Sequence, residues 1–105
     1  MKETRTKEND GLLRTAIHQK HLIKFRYQGK IRIAEPHDYG IQNGKLRLFC
    51  YQTGGQSGSG TLPDWRLFEI VKISGLEILS ETFPGRREIA SGKHHVWDEI
   101  LARVK

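Results

Sequence analysis

Between residues 22 and 79 the chain alternates apolar and polar residues in short runs, and tight-turn sequences separate the runs. Ile23, Phe25 and Tyr27 would share one side of an extended strand, because successive side chains of a strand point to opposite faces. The clearest runs are 22–27, 31–35, 46–52 and 65–73. This pattern restricts the chain to a mainly antiparallel β structure with short connections.

Two of the connections have sequences typical of hairpin turns. Asn43-Gly44 is a strong turn signal because both residues tolerate positive φ, and Gln28-Gly29 predicts a second turn. Pro36 lacks an amide hydrogen, so it should interrupt a strand ladder or lie at an edge. With 105 residues, the chain is long enough for one small domain and one core.

A helix is predicted at each end of the strand region. Asn9 or Asp10 can cap a first helix that ends near Lys20, since short polar side chains accept hydrogen bonds from the first turn. A second apolar stripe at helical spacing predicts a helix over 94–105. The first stripe consists of Leu12, Leu13, Ala16 and Ile17, and the second of Val96, Trp97, Ile100, Leu101 and Val104.

The predicted fold class is therefore α+β, mainly β. Short strands joined by tight turns cannot bury both faces as an open sheet, so they should form a small antiparallel barrel flanked by an N-terminal and a C-terminal helix. The expected organisation is a frayed tail, a barrel domain with its leading helix, a linker and a final helix. These segments cover residues 1–9, 10–80, 81–93 and 94–105.

The amino-acid composition indicates the cellular compartment of the protein. The single cysteine, Cys50, excludes an internal disulfide and favours a reducing compartment; its alternation with Leu46 and Leu48 indicates a small core residue. The sequence contains no run of about 18 apolar residues, so no membrane span is predicted. The polar N-terminus lacks the apolar segment of a signal peptide. We expect a cytoplasmic protein that does not bind membranes.

Positive charge is concentrated in the strand region. The whole chain has a net charge of +6, and residues 20–72 hold nine Lys or Arg against four acids. Such an excess favours a site for phosphate or nucleic acid. The alternative is a solvated surface that keeps a small domain in solution.

The order of several short motifs resembles the WYL domain family, which is named for a Trp-Tyr-Leu triplet and is found mostly in bacterial regulators. The similar segments are the helix at 12–20, the strand 23–27, the basic-to-proline segment 32–36 and the last strand 66–73. At the triplet position the chain has Leu46-Arg47-Leu48, and Val71 and Lys72 replace the Asp and second Arg of the last strand.

The resemblance covers residues 12–80 and implies a small SH3/Sm-like barrel with a regulatory, ligand-sensing or nucleic-acid-binding role. Many family members also carry a helix-turn-helix, for which this chain has no room. We therefore expect a stand-alone module.

Basic residues on strands that could be neighbours form the candidate ligand site. Guanidinium groups can bind phosphate or carboxylate through two parallel hydrogen bonds, and nearby aromatic rings can stack nucleobases. The candidates are Arg32, Arg47, Arg66 and Lys72, with Tyr39, Tyr51 and Trp65 as stacking surfaces. The alternatives are separate surface charges and half-buried aromatic residues of the sheet.

The loop 53–61, with the sequence TGGQSGSGT, separates two of the predicted strands. It lacks the lysine and the spacing of a P-loop. Ser57 and Ser59 could donate hydroxyl groups to a ligand at its lip; the alternative is a plain hairpin connection.

Neither a metal site nor an active site is predicted. Four histidines (18, 21, 94 and 95) accompany only one cysteine, so no closed zinc set is evident, and no cofactor is expected. His37 and Asp38 are adjacent in a strand and should point to opposite faces, which makes them a poor catalytic pair.

These observations predict a non-enzymatic module that binds an anionic small molecule, such as a nucleotide, or single-stranded nucleic acid. The alternative is a protein-interaction module that uses the C-terminal helix for homodimerisation or partner docking. In that case the contacts would come from Trp97, Ile100, Leu101 and Val104. The same helix could instead dock on its own barrel.

Overall fold

The structure is a computed structural model of the chain, and it describes residues 2–56, 61–88 and 96–105. One α-helix and six strands make up these parts of the chain. The elements are α1 (Lys2–Gln19), β1 (His21–Tyr27), β2 (Lys30–Gln42), β3 (Lys45–Gly55), β4 (Asp64–Glu69), a 3-10 helix (Ile70–Lys72), β5 (Ser74–Thr82) and β6 (Glu99–Arg103).

The strands form one antiparallel sheet in the order β4-β3-β2-β1-β5, with β6 paired to β2. The prediction of a mainly β, antiparallel domain agrees with this sheet, which is compatible with a barrel-like fold. The thirteen-residue strand β2 is the centre of the sheet. One of its edges pairs with β3; along the other, β1 pairs with residues 30–34 and β6 with residues 38–41.

The predicted C-terminal helix over 94–105 is wrong. Residues 99–103 form β6, and the helical spacing of apolar residues in this segment does not decide its structure. Beyond Ala34, β2 has no partner in β1, so the backbone groups of Asp38–Ile41 need hydrogen bonds, and β6 supplies them. Gly40 permits this pairing, because a Cβ there would overlap the carbonyl oxygen of Glu99.

Both predicted hairpin turns are confirmed. Asn43 and Gly44 have φ values of 52° and 77°, and Gln28 and Gly29 have values of 54° and 73°. Positive φ at both central residues is the geometry that follows the twist of antiparallel strands.

Other boundaries differ from the sequence pattern. Helix α1 already begins at Lys2, so the segment expected to fray is helical. The run 65–73 is not one strand, because β4 ends at Glu69 and the 3-10 helix follows. Strand β2 continues through Pro36, and its pairing with β3 shifts directly after it, which leaves His37 between the paired residues Pro36 and Asp38.

The core lies between α1 and the sheet. Leu13, Ala16 and Ile17 of α1 are buried against strand residues that include Phe25 and Phe68. Phe25 meets Phe68 edge to face, with ring centroids 5.0 Å apart. Burying each large side chain contributes ~1.5–3 kcal/mol, so this cluster is the main source of stability. Cys50 is fully buried within the cluster, in agreement with the prediction of a core residue.

Candidate anion-binding site

Two of the predicted basic residues, Arg32 on β2 and Arg66 on β4, lie within electrostatic reach of each other; we call them the arginine pair. Only 4% of Arg32 is exposed. Burial, and then the like charge of Arg66, lower the pKa of Arg32. The positive charge of Arg66 thus acts on a guanidinium group that is removed from water.

The contacts of Arg32 are with neutral groups. Its Nη1 donates to Gln52 Oε1 and its Nη2 to the Tyr27 carbonyl oxygen, each over 3.4 Å. The guanidinium carbon lies 5.8 Å from the ring centroid of Tyr27 and 5.5 Å from that of Phe68. Among the described residues, Arg32 forms no ion pair, and its buried Nε has no hydrogen-bond partner. No carboxylate among the described residues therefore balances this buried charge.

Gln52 connects the arginine pair to the start of the loop 53–61, which we call the Gly/Ser loop. This fully buried side chain donates from Nε2 to the carbonyl oxygens of Gly54 (3.0 Å) and Gln56 (2.9 Å). Because its Oε1 also accepts from Arg32, the loop begins beside the buried guanidinium. Ser57 and Ser59, the predicted hydroxyl donors, lie outside the described residues.

Arg47 and Lys72 belong to a different cluster, which is centred on Glu69. Lys72 Nζ lies 3.0 Å from a Glu69 carboxylate oxygen, Lys45 Nζ 3.4 Å and Arg47 Nη2 3.7 Å. The hydrogen bond from Lys72 lowers the pKa of Glu69, and the same bond raises the pKa of Lys72. The predicted four-residue basic patch is therefore divided between two places.

The predicted aromatic residues also separate. Tyr39 is fully buried in the core, where its hydroxyl donates to Asp10 Oδ1 over 2.7 Å. Tyr51 and Trp65 are cross-strand neighbours with ring centroids 5.0 Å apart. Trp65 is adjacent to Arg66 and therefore points to the opposite face of β4, as strand parity predicts. Neither ring shares the face of the arginine pair.

Tyr51 and Trp65 instead belong to an aromatic cluster on the other face. Trp65 stacks on Phe49 with a centroid distance of 4.8 Å and an interplanar angle of 9°. The guanidinium carbon of Arg87 lies 4.5 Å from the Tyr51 ring centroid, which is a cation–π contact. Arg87 comes from residues 83–88, a segment after β5 that we call the strap.

Buried carboxylates of β2 bind arginines of the strap and of β6. The sequence analysis did not predict these ion pairs. Arg87 binds Glu35 through two hydrogen bonds of 2.6 and 2.9 Å. Asp38 Oδ1 accepts from Arg103 Nε (2.9 Å) and Arg86 Nη1 (3.3 Å). The available signal was that Glu35 and Asp38 lie within a strand that is largely buried, since acids need cationic partners when buried.

His37 fills the irregular position of β2 and is fully buried. Its Nε2 accepts from the backbone N–H of Arg87 (3.1 Å), so its Nδ1 carries the proton and donates to the Glu35 carbonyl oxygen (3.0 Å). Burial lowers the pKa of His37. Both ring nitrogens are thus used by backbone groups, and the ring stacks with Phe83 of the strap at a centroid distance of 5.7 Å.

The residues predicted for a dimer contact no longer form a helical stripe. Val104 is buried within the chain, Trp97 and Leu101 are partly buried, and Ile100 is 36% exposed. Dimerisation through these residues stays a prediction.

Within residues 2–56, 61–88 and 96–105, no group of three or more potential ligands is placed to hold a metal ion. His94 and His95 lie outside these ranges. The described part of the chain contains no helix with the length and apolar character needed to cross a membrane.

Comparisons with protein-family models, with curated proteins and with solved structures gave no match for this chain. The resemblance to the WYL domain family therefore stays a prediction from the sequence.

Proposed function

We propose that the protein is a non-enzymatic, WYL-like regulatory module that binds an anionic ligand, a nucleotide or single-stranded nucleic acid, at the arginine pair. One observation carries the proposal. The guanidinium of Arg32 is buried, and no carboxylate among the described residues pairs with it. A ligand phosphate would supply the missing negative charge.

The energetic argument concerns desolvation. An ionised group taken out of water is destabilised by several kcal/mol unless an opposite charge or strong hydrogen bonds compensate. The two 3.4 Å hydrogen bonds to Gln52 and Tyr27 are long, so they compensate only in part. An anion bound to Arg32 would form shorter charge-assisted bonds. Arg66 would add positive charge that Asp64 balances only in part, since Arg66 Nη1 lies 3.5 Å from an Asp64 carboxylate oxygen.

The surroundings suit a phosphate group. The Gly/Ser loop begins at this place, where the carbonyl oxygens of Gly54 and Gln56 accept from Gln52. Residues 20–72 carry most of the positive charge of the chain. The aromatic cluster lies on the other face, so base stacking on Tyr51 or Trp65 would require a strand of nucleic acid that passes around the sheet edge. A nucleotide phosphate is the simplest ligand for the arginine pair.

The exposed apolar residues near β6 favour a protein-interaction module as the second candidate. Val96 is 87% exposed and Ile100 is 36% exposed, next to a strand whose outer edge could meet another chain. Light scattering of the protein and of the Ile100→Asp variant tests this candidate. A monomer at all concentrations would exclude the homodimer.

A thermal-shift screen with nucleotides and short oligonucleotides, followed by calorimetric titration, tests the leading proposal. Arg66→Ala should weaken binding by ~1–3 kcal/mol, because a charge-assisted hydrogen bond is lost. Arg26→Ala, at an exposed position of β1, is the matched control and should leave the affinity unchanged. The log–log salt slope should shrink by about 0.7–0.9 for each phosphate contact removed.

Arg32→Met gives a sharper test, because it removes the charge and keeps most of the side-chain length. Without ligand the variant should be as stable as the wild type or more stable, since a buried uncompensated charge disappears. With ligand it should lose the stabilisation that the wild type gains. Binding that survives Arg32→Met and Arg66→Ala together, or that does not respond to salt, would contradict the proposal.

A further inference from the structure

A second basic site lies where the end of α1 meets the end of β6, well apart in sequence from the arginine pair. It is a cleft of about 180 Å³, which we call the α1–β6 cleft. Its lining consists of Ile17, His18, Lys20, Arg103 and Lys105. Apart from Ile17, every one of these side chains is basic, so the cleft concentrates positive charge in a space large enough for a tetrahedral oxyanion.

The carboxylate that contacts this cluster cannot balance its charge. Asp38 accepts from Arg103 Nε over 2.9 Å, and the same oxygen accepts from Arg86 over 3.3 Å. Asp38 is only 3% exposed, so it lies beneath these arginines. Lys20 adds a further positive charge, and neither Lys20 nor Lys105 forms an ion pair with Asp38. Positive charge therefore remains in excess at the opening of the cleft.

Arg103 is oriented for an additional ligand. Its Nε is fixed on Asp38, whereas its Nη1 and Nη2 have no hydrogen-bond partner among the described residues. A guanidinium anchored at Nε presents its two remaining nitrogens as a fork, the geometry that matches phosphate oxygens.

Lys20 occupies a position where glycine would be more favourable. It directly follows α1 and has a φ of 59°, in the left-handed conformation that glycine adopts without a steric penalty. The carbonyl oxygen of Lys20 accepts from Phe83 N over 2.9 Å, and Lys20 Cε lies 3.5 Å from where a Cβ of Gly85 would be. The strap thus holds this lysine at the cleft despite its unfavourable backbone conformation.

We propose that the α1–β6 cleft binds a phosphate monoester group or free phosphate as a dianion. Arg103 would donate through Nη1 and Nη2, and Lys20 and Lys105 would contribute ammonium groups. Several converging cations favour a dianion over the singly charged diester of a nucleic-acid backbone. This site is additional to the proposed function, because none of its residues belongs to the arginine pair.

The test is titration of the ¹⁵N-labelled full chain with inorganic phosphate, glycerol phosphate and an oligonucleotide without terminal phosphates, in low-salt buffer free of other oxyanions. Phosphate and glycerol phosphate should shift the amide signals of Lys20, Arg103 and Lys105. A response to the oligonucleotide alone would overturn the proposal of a monoester site.

Lys20→Gly separates the binding role from the structural role. Without phosphate, its melting temperature should be equal to or above that of the wild type, because glycine suits the left-handed conformation. Its Kd for phosphate should nevertheless rise about tenfold, since one charge-assisted contact is lost. Arg103→Lys should weaken binding as well, whereas Arg66→Ala and Arg26→Ala should not. Unchanged phosphate affinity in Lys20→Gly and Arg103→Lys would overturn the proposal, whatever the outcome at the arginine pair.

Discussion

Acidification should loosen the strap through one side chain, His37. The neutral ring accepts from Arg87 N and donates to the Glu35 carbonyl oxygen, and protonation of Nε2 would abolish the first of these bonds. The charged groups that act on the ring are Glu35 and Asp38 of β2 and Arg86 of the strap. Arg103 of β6 donates to Asp38. Burial outweighs the two carboxylates and lowers the pKa of His37.

The sign of the effect follows from this direction. In the unfolded chain His37 has the ordinary histidine pKa of 6.5. Because its pKa is lower in the folded protein, the folded state binds this proton less tightly than the unfolded state does. The contribution to stability is therefore complete above pH 6.5 and is lost as the pH falls. If His37 stayed neutral in the fold, the loss at pH 5 would reach ~2 kcal/mol, which is the upper limit that the unfolded pKa sets. For a domain of this size, that corresponds to roughly 8–16 °C in melting temperature.

The assay is chemical denaturation at pH 7.5, 6.5, 5.5 and 5.0, compared with His37→Gln. Glutamine offers one donor and one acceptor but does not titrate, so the variant should lose most of the pH dependence in this window. If His37→Gln destabilised with falling pH as steeply as the wild type, the reasoning would be refuted.

Four further predictions concern the strap, β6, α1 and the core. Arg87→Ala should lower the free energy of unfolding by ~1–3 kcal/mol in denaturant titration, because Glu35 stays buried without its partner. The expected loss is smaller than for a fully buried ion pair, since 45% of the Arg87 side chain is exposed. Gly40→Ala should destabilise by ~1–3 kcal/mol and accelerate hydrogen exchange in β6, because its Cβ would overlap the Glu99 carbonyl oxygen. Gly11→Ala, in open space on α1, should instead stabilise the protein by ~0.5–1 kcal/mol. If Gly11→Ala were destabilising and Gly40→Ala stabilising, the roles given to both glycines would be contradicted. The Cys50 thiol, whose pKa burial raises, should react with a thiol reagent only after unfolding, and rapid reaction of the native protein would show that it is accessible.

The strands and turns could be predicted because their signals are local. Alternation marked β1 and β3, and the positive-φ residues Asn43 and Gly44 marked the hairpin between β2 and β3. Strand parity also placed Trp65 and Arg66 on opposite faces. It could not place Lys72, because the 3-10 helix after Glu69 breaks the parity on which the prediction depended.

The C-terminal segment shows where local signals fail. Val96, Ile100 and Val104 recur every four residues, which suits a helix, yet all three are β-branched and suit a strand as well. The unpaired edge of β2 decided the outcome, and that edge lies some sixty residues away in the chain. The ion pair between Glu35 and Arg87 is similarly remote, because its partners are 52 positions apart in the chain. The acids of β2 indicated that cationic partners were needed, but no local pattern identified Arg87 as one of them.

The late position of β6 has a consequence for synthesis on the ribosome. Residues 99–103 complete the edge of a central strand that has been made long before, so the backbone groups of residues 38–41 wait for their partners while about sixty further residues are translated. During that interval the nascent chain presents an open β edge beside a nearly finished sheet. Such an edge can pair with a neighbouring nascent chain on the same message. A premature stop before residue 99 would therefore give a product prone to association rather than a smaller stable domain.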